Sequence, residues 1–337
     1  MKARAIVFTG VDQVVLREVE IPSPGEGEVL VEALYTLVSP GTELRCLAGK
    51  QKGLAFPFIA GYSLVGRVTA RGPGATLPRG TLVYCNGTAR AAGLPLGWGG
   101  HASHAVQPES NVYPVPEGVD PLWAVAAHVA GIAYRGVRLG RPQAHETVAV
   151  IGLGTIGALA ARLHALSGAR VVAADLSPHR VALAQQAGIE AFVPLGDLGQ
   201  AFREPQHGRV PGGADLVVDA TGHPAVLRQA IEVARDKPWD DSAEPGPRLV
   251  VQGSYPGDFQ VPYDAAFRRE LSFSLPRDTQ PRDVRAVLDL MARGKLRLDG
   301  FAQTRRPGDA VQVYADLANP ATKLLTVAFQ WRTASSP

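Results

Sequence analysis

The chain has 337 residues, 46% of them hydrophobic and 19% charged, with a formal net charge of +3. The basic residues are scattered, which excludes a nucleic-acid surface, and no apolar run reaches the roughly 20 residues that span a bilayer. Cys46 and Cys85 match no zinc or redox spacing, which points to reduced thiols and a cytoplasmic protein.

The N-terminus, MKARAIVFTG, reads as a strand and not as a secretory signal. Residues 1 to about 120 are predicted to be all-β, with strands at Ala3–Phe8, Val14–Glu18, Glu28–Thr36, Gly66–Ala70 and Thr81–Tyr84. SPGEGEV, RGPGATLPRG and PEGVDP supply the turns between and after them. From about 122 to 277 the period changes. Apolar runs at Val148–Ile151, Ala169–Ala174, Ala191–Val193, Leu216–Ala220, Leu249–Gly253 and Leu271–Leu275 alternate with helical segments. That alternation predicts a parallel sheet with helices on both faces. Arg203–Gly213 and Lys237–Pro247 are polar, Pro/Gly-rich surface loops. The tail holds helices at Asp283–Lys295 and Ala310–Asn319 and a strand at Lys323–Phe329, and TASSP is expected to fray. The shifts in period divide the chain into residues 1–122, 123–277 and 278–337.

Within the second region, VAVIGLGTIG reads as strand, glycine turn and helix start. Gly152 permits the tight turn, Gly154 lets the backbone approach a pyrophosphate, and Gly157 lets the helix pack on the strand. With Thr155 and Ile156 they form the turn that presents a helix N-terminus to phosphates. Asp175 ends the next strand, where its carboxylate can accept from ribose hydroxyls and would repel a 2′-phosphate, so NAD is favoured over NADP. Arg180, just beyond, is either a cover for the adenine or a solvated helix residue.

Several further segments, in this order, resemble the medium-chain dehydrogenase/reductase superfamily, the alcohol dehydrogenase-like fold: GEGEVLVE from Gly25, GYSLVGRV from Gly61, GGHASHAV from Gly99, and RGKLRLDGF near the end. The resemblance implies an α/β chain with a β-rich GroES-like catalytic domain (1–122 and 278–337) and a Rossmann doubly wound parallel sheet (123–277). It implies that Thr221-Gly222 and Gly253-Ser254 border the nucleotide, and that two copies form a homodimer through Leu271–Leu275. The run Ser39-Pro-Gly-Thr42-Glu43 with Gly61-Tyr62-Ser63 is similar to the bacteriochlorophyllide a dehydrogenase and bi-domain oxidoreductase branch. That supports a small-molecule secondary alcohol or ketone as substrate.

The departures from the family alter the expected chemistry. Its catalytic zinc ligands fall at Ser39, Tyr62 and His128, the acid that follows the histidine ligand falls at Ser63, and the cysteine run of its structural zinc lobe is missing from Asn86–Trp98. One imidazole and two hydroxyls do not make a tetrahedral nitrogen/sulfur site, so no metal is expected. A side chain must then move the hydroxyl proton. A phenol at Tyr62, titrating near about 10 in water, needs positive charge beside it; an imidazole at His128 titrates close to neutrality. Each has a bland alternative: Tyr62 fills the vacated cavity, and His128 is a hydrogen-bonded core residue. Ser39 and Thr42 either orient the substrate or belong to a turn. Glu43 is an acid/base candidate or a helix N-terminal charge. Trp98 walls a pocket or covers the core. His101 and His104, three apart in an expected strand, fall on opposite faces and form no metal pair. Two rival functions remain open at this level: an NADPH-dependent quinone or enoyl reductase, and a non-catalytic NAD(H)-binding sensor.

Overall fold

Alternating apolar residues and a two-residue reversal build the first element pair. β1 (Lys2–Gly10) and β2 (Gln13–Glu20) form an antiparallel hairpin, and Asp12 takes φ 55° at its tip. β3 (Glu28–Leu37) sends Val29, Val31 and Ala33 into one core cluster and Leu30 into another, as the two-residue strand period requires. The structure is a computed structural model that describes residues 1–204, 209–240, 245–255 and 257–332. TASSP and the centres of the two predicted loops, residues 205–208 and 241–244, lie outside the described residues.

After β3 the chain departs from the all-β expectation. Ser39 to Glu43 is no isolated turn: Pro40–Leu47 is a helix, α1, with Pro40 at its first position and Ser39 as N-cap. Proline's fixed φ suits that position, and its missing N–H costs nothing there. β4 (Phe58–Ile59), β5 (Leu64–Arg71), β6 (Leu82–Cys85), β7 (His104–Pro108) and β8 (Tyr113–Pro114) follow. β3 pairs antiparallel with both β5 and β7. Next come α2 (Pro121–Ala124) and α3 (Ala127–Gly140).

The second region alternates as the sequence predicts: β9 (Thr147–Ile151), α4 (Thr155–Ala165), β10 (Arg170–Ala174), α5 (Pro178–Gln186), β11 (Glu190–Phe192), α6 (Leu198–Arg203), β12 (Leu216–Asp219), α7 (Pro224–Val233), β13 (Arg248–Val251), α8 (Tyr263–Phe267) and β14 (Ser272–Ser274). The strands form one parallel sheet in the order β11-β10-β9-β12-β13-β14, the doubly wound Rossmann order. β9 and β12 read as unbroken apolar runs because both faces are covered: Val148, Ala149, Val150, Leu216, Val217 and Val218 are fully buried.

α9 (Pro281–Ala292), β15 (Gln303–Arg305), α10 (Ala310–Ala318) and β16 (Val327–Gln330) complete the chain. β16 pairs with β3, so the tail rejoins the first sheet. Residues 1–128 with 284–337 form one unit and 129–283 the other. No helix among the described residues is long and apolar enough to cross a membrane. Cys46 and Cys85 are separate and buried, and burial pushes their thiols up to about 11 and about 12.

Candidate functional site

In the unit of residues 129–283, the glycine turn follows β9. Gly152 has φ 87°, a region that side chains disfavour. Its N–H bonds to the Ala174 carbonyl at 2.8 Å, which fixes the turn against the end of β10. A Cβ on Gly157 would lie 1.8 Å from the Gly152 oxygen, so α4 packs directly on the turn. Gly154 differs: a Cβ there would meet nothing within 4 Å. It is the N-cap of α4 and brings no side-chain cap. Open space therefore faces a helix N-terminus flanked by Thr155 and Ile156, which is the cradle an anionic pyrophosphate requires.

Asp175 stands past β10, as predicted, and its carboxylate is held by two backbone amides. Its Oδ2 accepts from the Leu153 N–H at 2.6 Å and its Oδ1 from the Ser177 N–H at 2.8 Å. Arg180 Nη1 lies 3.7 Å from the same carboxylate. Thr221 and Gly253, at the carboxyl ends of β12 and β13, share an anchor that the sequence reading missed. The fully buried Asp219 accepts from the Thr221 N–H at 2.9 Å, from its hydroxyl at 2.7 Å, and from the Tyr255 hydroxyl. The Asp219 carbonyl accepts from the Gly253 N–H at 2.8 Å. Burial and the adjoining carboxylate raise the Tyr255 phenol well above its ordinary range, so it stays a donor. Gly222 and Ser254 are the neighbours of these anchored residues.

In the other unit, the three positions aligned with zinc ligands meet. The Tyr62 hydroxyl donates to Ser39 Oγ, and the Tyr62 and His128 rings lie 4.9 Å apart. All three are buried. His128 Nδ1 lies 3.2 Å from Asn86 Oδ1, which also accepts from the Tyr84 hydroxyl at 3.0 Å. An amide oxygen only accepts, so that contact makes Nδ1 of His128 the donor. Trp98 packs edge-on against Tyr62 at 5.5 Å and holds a φ of 69°.

Thr42 lies half-buried in the first turn of α1 and has no side-chain bond to this cluster. Of the two roles weighed for Glu43, the structure shows a place in the first turn of α1, with both oxygens accepting protein donors: Ser39 N–H at 2.7 Å, His101 Nε2 at 2.9 Å and the Tyr314 hydroxyl at 2.5 Å. His101 departs from the expected strand, since it precedes β7 and is fully buried, whereas His104 opens the strand and is half-buried. The only signal for it in the sequence was its place beside the Gly99-Gly100 pair.

A family model described as a zinc-binding dehydrogenase matches residues 152–293, and one described as an alcohol dehydrogenase GroES-like domain matches residues 25–117. L-galactonate-5-dehydrogenase of Escherichia coli is 26% identical, with 88% of this chain and 89% of that protein covered. The 2-desacetyl-2-hydroxyethyl bacteriochlorophyllide A dehydrogenase of Rhodobacter capsulatus is 25% identical over 93% of this chain and 94% of its own. An Escherichia coli alcohol dehydrogenase solved with NADH has the same fold, with a TM-score of 0.83, 22% identity, and 98% and 99% of the two chains covered. The donors present here do not fit the zinc that the first description implies. Two of the three positions carry hydroxyls bonded to each other, and among the described residues no group of three His, Cys, Asp or Glu could hold a metal ion.

Proposed function

The chain belongs to the medium-chain dehydrogenase/reductase, alcohol dehydrogenase-like superfamily, and from that premise we propose that it interconverts a secondary alcohol and a ketone with NAD and without zinc. The observation that carries the reading is the Tyr62–Ser39 hydroxyl pair beside His128, at the positions where a metal would otherwise polarise the substrate oxygen. Gly152, Gly154, Thr155, Ile156 and Gly157 would hold the pyrophosphate, and Asp175 the ribose. Bound nicotinamide supplies the hydride acceptor for the alcohol or the hydride donor for the ketone.

The chain's own side chains handle the proton. Tyr62 and Ser39 hold the substrate oxygen by hydrogen bonds. The imidazole of His128 packs against Tyr62, where its positive charge, once protonated, favours the phenolate. Burial of the three excludes water and strengthens each interaction. One observation favours NADP as the alternative cofactor: Arg180 stands beside Asp175 and could pair with a 2′-phosphate. We also propose that two copies pair along β14, beside which Tyr263, Phe267 and Leu275 are exposed.

The deciding experiment is a panel of secondary alcohols and ketones read by reduced-nicotinamide absorbance, with each cofactor and after chelation. Turnover with NAD that survives chelation is expected. Tighter binding of NADPH than NADH would overturn the cofactor preference, stoichiometric zinc removed with loss of activity would overturn the metal-free reading, and firm NADH binding with no turnover would favour a sensor. Elution as a monomer on sizing would contradict the pairing.

A further inference from the structure

Ser39 and Tyr62 lie on separate segments, so their hydroxyl bond needs something to hold those segments in register. His101 touches both. Its Nε2 reaches Glu43 Oε2 at 2.9 Å, and Glu43 Oε1 holds the Ser39 amide at 2.7 Å. On the other side, the His101 N–H donates to the Ala60 carbonyl at 2.8 Å and the Gly100 N–H to the Gly61 carbonyl at 2.7 Å. The imidazole lies so close that a Cβ on Gly61 would sit 2.5 Å from it. Gly61 immediately precedes Tyr62, so the glycine of the Gly61-Tyr62-Ser63 run is the space the ring occupies.

The directions of the bonds are consistent from end to end. Trp331 Nε1–H donates to Thr36 Oγ1 at 3.0 Å, and Thr36 Oγ1 lies 2.8 Å from His101 Nδ1. With the Thr36 hydroxyl given to Nδ1, His101 is in its Nε2–H tautomer and donates to Glu43, which also accepts from Tyr314 and Ser39. Each donor in this run of bonds then has an acceptor. His101 and Glu43 side chains are 0% and 1% exposed. A buried pair of this kind adds little net stability, whereas it fixes directions that apolar packing leaves loose.

We infer that His101 and Glu43 are positioning residues that set the Tyr62–Ser39 pair without touching substrate. The inference rests on the proposed reading of that pair as the group that holds the substrate oxygen. It is tested in the full-length protein with His101→Leu, which removes the donor, and His101→Gln, whose amide can still donate to Glu43. His101→Leu is expected to lower kcat roughly 10- to 100-fold, the scale of a small misplacement of reacting groups. KM and NADH affinity should stay within about threefold, and His101→Gln should recover most of the loss. A folded His101→Leu protein with wild-type kcat overturns the inference, as does a His101→Gln protein that falls just as far.

A second readout does not depend on turnover. In 3-fluorotyrosine-labelled protein, the Tyr62 fluorine resonance is identified by its loss in Tyr62→Phe. Glu43→Gln should shift that resonance and leave Tyr113 in place. An unmoved Tyr62 resonance overturns the inference even where His101→Leu fails to fold. If the wild-type protein turns over no alcohol or ketone, the proposed function fails on its own account, and the fluorine shift still decides the positioning role.

Discussion

The two units make their sites from different material. In residues 129–283 the cradle is mostly backbone: a left-handed Gly152, a Gly157 with no room for a side chain, and a Gly154 facing open space. In the other unit the site is side chains, and the contacts that set it join Tyr62 to Ser39, His101 to Glu43, and Tyr314 to Glu43 across 23, 58 and 271 positions. A backbone site depends on what short segments lack, while a side-chain site depends on what the whole fold brings together. The first should therefore fail by steric exclusion and the second by loss of single functional groups.

The largest expected effect tests the side-chain half. Tyr62→Phe removes one hydroxyl from a buried pair and should lower kcat by roughly 10²- to 10⁴-fold, the range for a lost acid/base group. NADH binding, followed by fluorescence, should be unchanged. Retained turnover in both Tyr62→Phe and His128→Ala would show that neither side chain handles the proton, and the contrast between the units would collapse.

The backbone half is tested by two alanines that look equivalent on paper. Gly157→Ala places a methyl 1.8 Å from the Gly152 oxygen, and should cost about 3 kcal/mol or more, read as a fall in Tm. Gly154→Ala adds a methyl that meets no protein atom within 4 Å. Its Tm should hold, while NADH affinity drops roughly tenfold, about 1.4 kcal/mol, because the methyl occupies space meant for the ligand. Equal effects on Tm would mean that Gly154 does not face a ligand.

That pair also shows how much was legible. The tight turn at Gly152 and the close packing at Gly157 follow from motif spacing, because strand, turn and helix are local, and the parallel sheet follows from the alternation of periods. The meeting of Ser39, Tyr62 and His128 was anticipated only through the aligned ligand positions of a resembled family. Glu43 as anchor, His101 as hub and Asn86 as the partner of His128 were not legible. Each depends on a contact between distant segments, and a histidine's neighbours are not written beside it. The helix at Pro40–Leu47 was legible only as one alternative, with Glu43 as a helix N-terminal charge, because Ser-Pro-Gly-Thr is turn chemistry until Glu43 is seen to reach back to the Ser39 amide.

A smaller effect asks whether the unit of residues 129–283 tolerates a buried polar side chain without a network. His164 on α4 is fully buried with neither ring nitrogen hydrogen-bonded, and burial, aided by Arg248, lowers its pKa to about 3. The unfolded chain takes up a proton near pH 6.5 and the folded one does not. Stability is therefore complete above that value and falls by about 1.4 kcal/mol per pH unit as pH drops toward 3. His164→Leu should remove that slope and raise stability by about 1–3 kcal/mol at pH 7. Denaturant titrations at pH 7 and pH 5 measure both, and an unchanged slope would place the acid sensitivity elsewhere.

The smallest effect concerns charge at the surface of the same sheet. Arg170 on β10 meets Glu190 on β11 through both Nε and Nη2, at 3.2 and 2.9 Å to Oε2. This is better geometry than most ion pairs have, yet the two side chains are 44% and 43% exposed. Water and salt screen the attraction, and ordering two long side chains opposes it, so the pair should contribute about 0.2–1 kcal/mol. A double-mutant cycle with Arg170→Ala and Glu190→Ala should give a coupling in that range, smaller in high salt. A coupling above about 2 kcal/mol would mean that bidentate geometry outweighs exposure. Exposure would then be a poor guide to which side-chain contacts matter, including the buried bonds that hold Glu43 and His101.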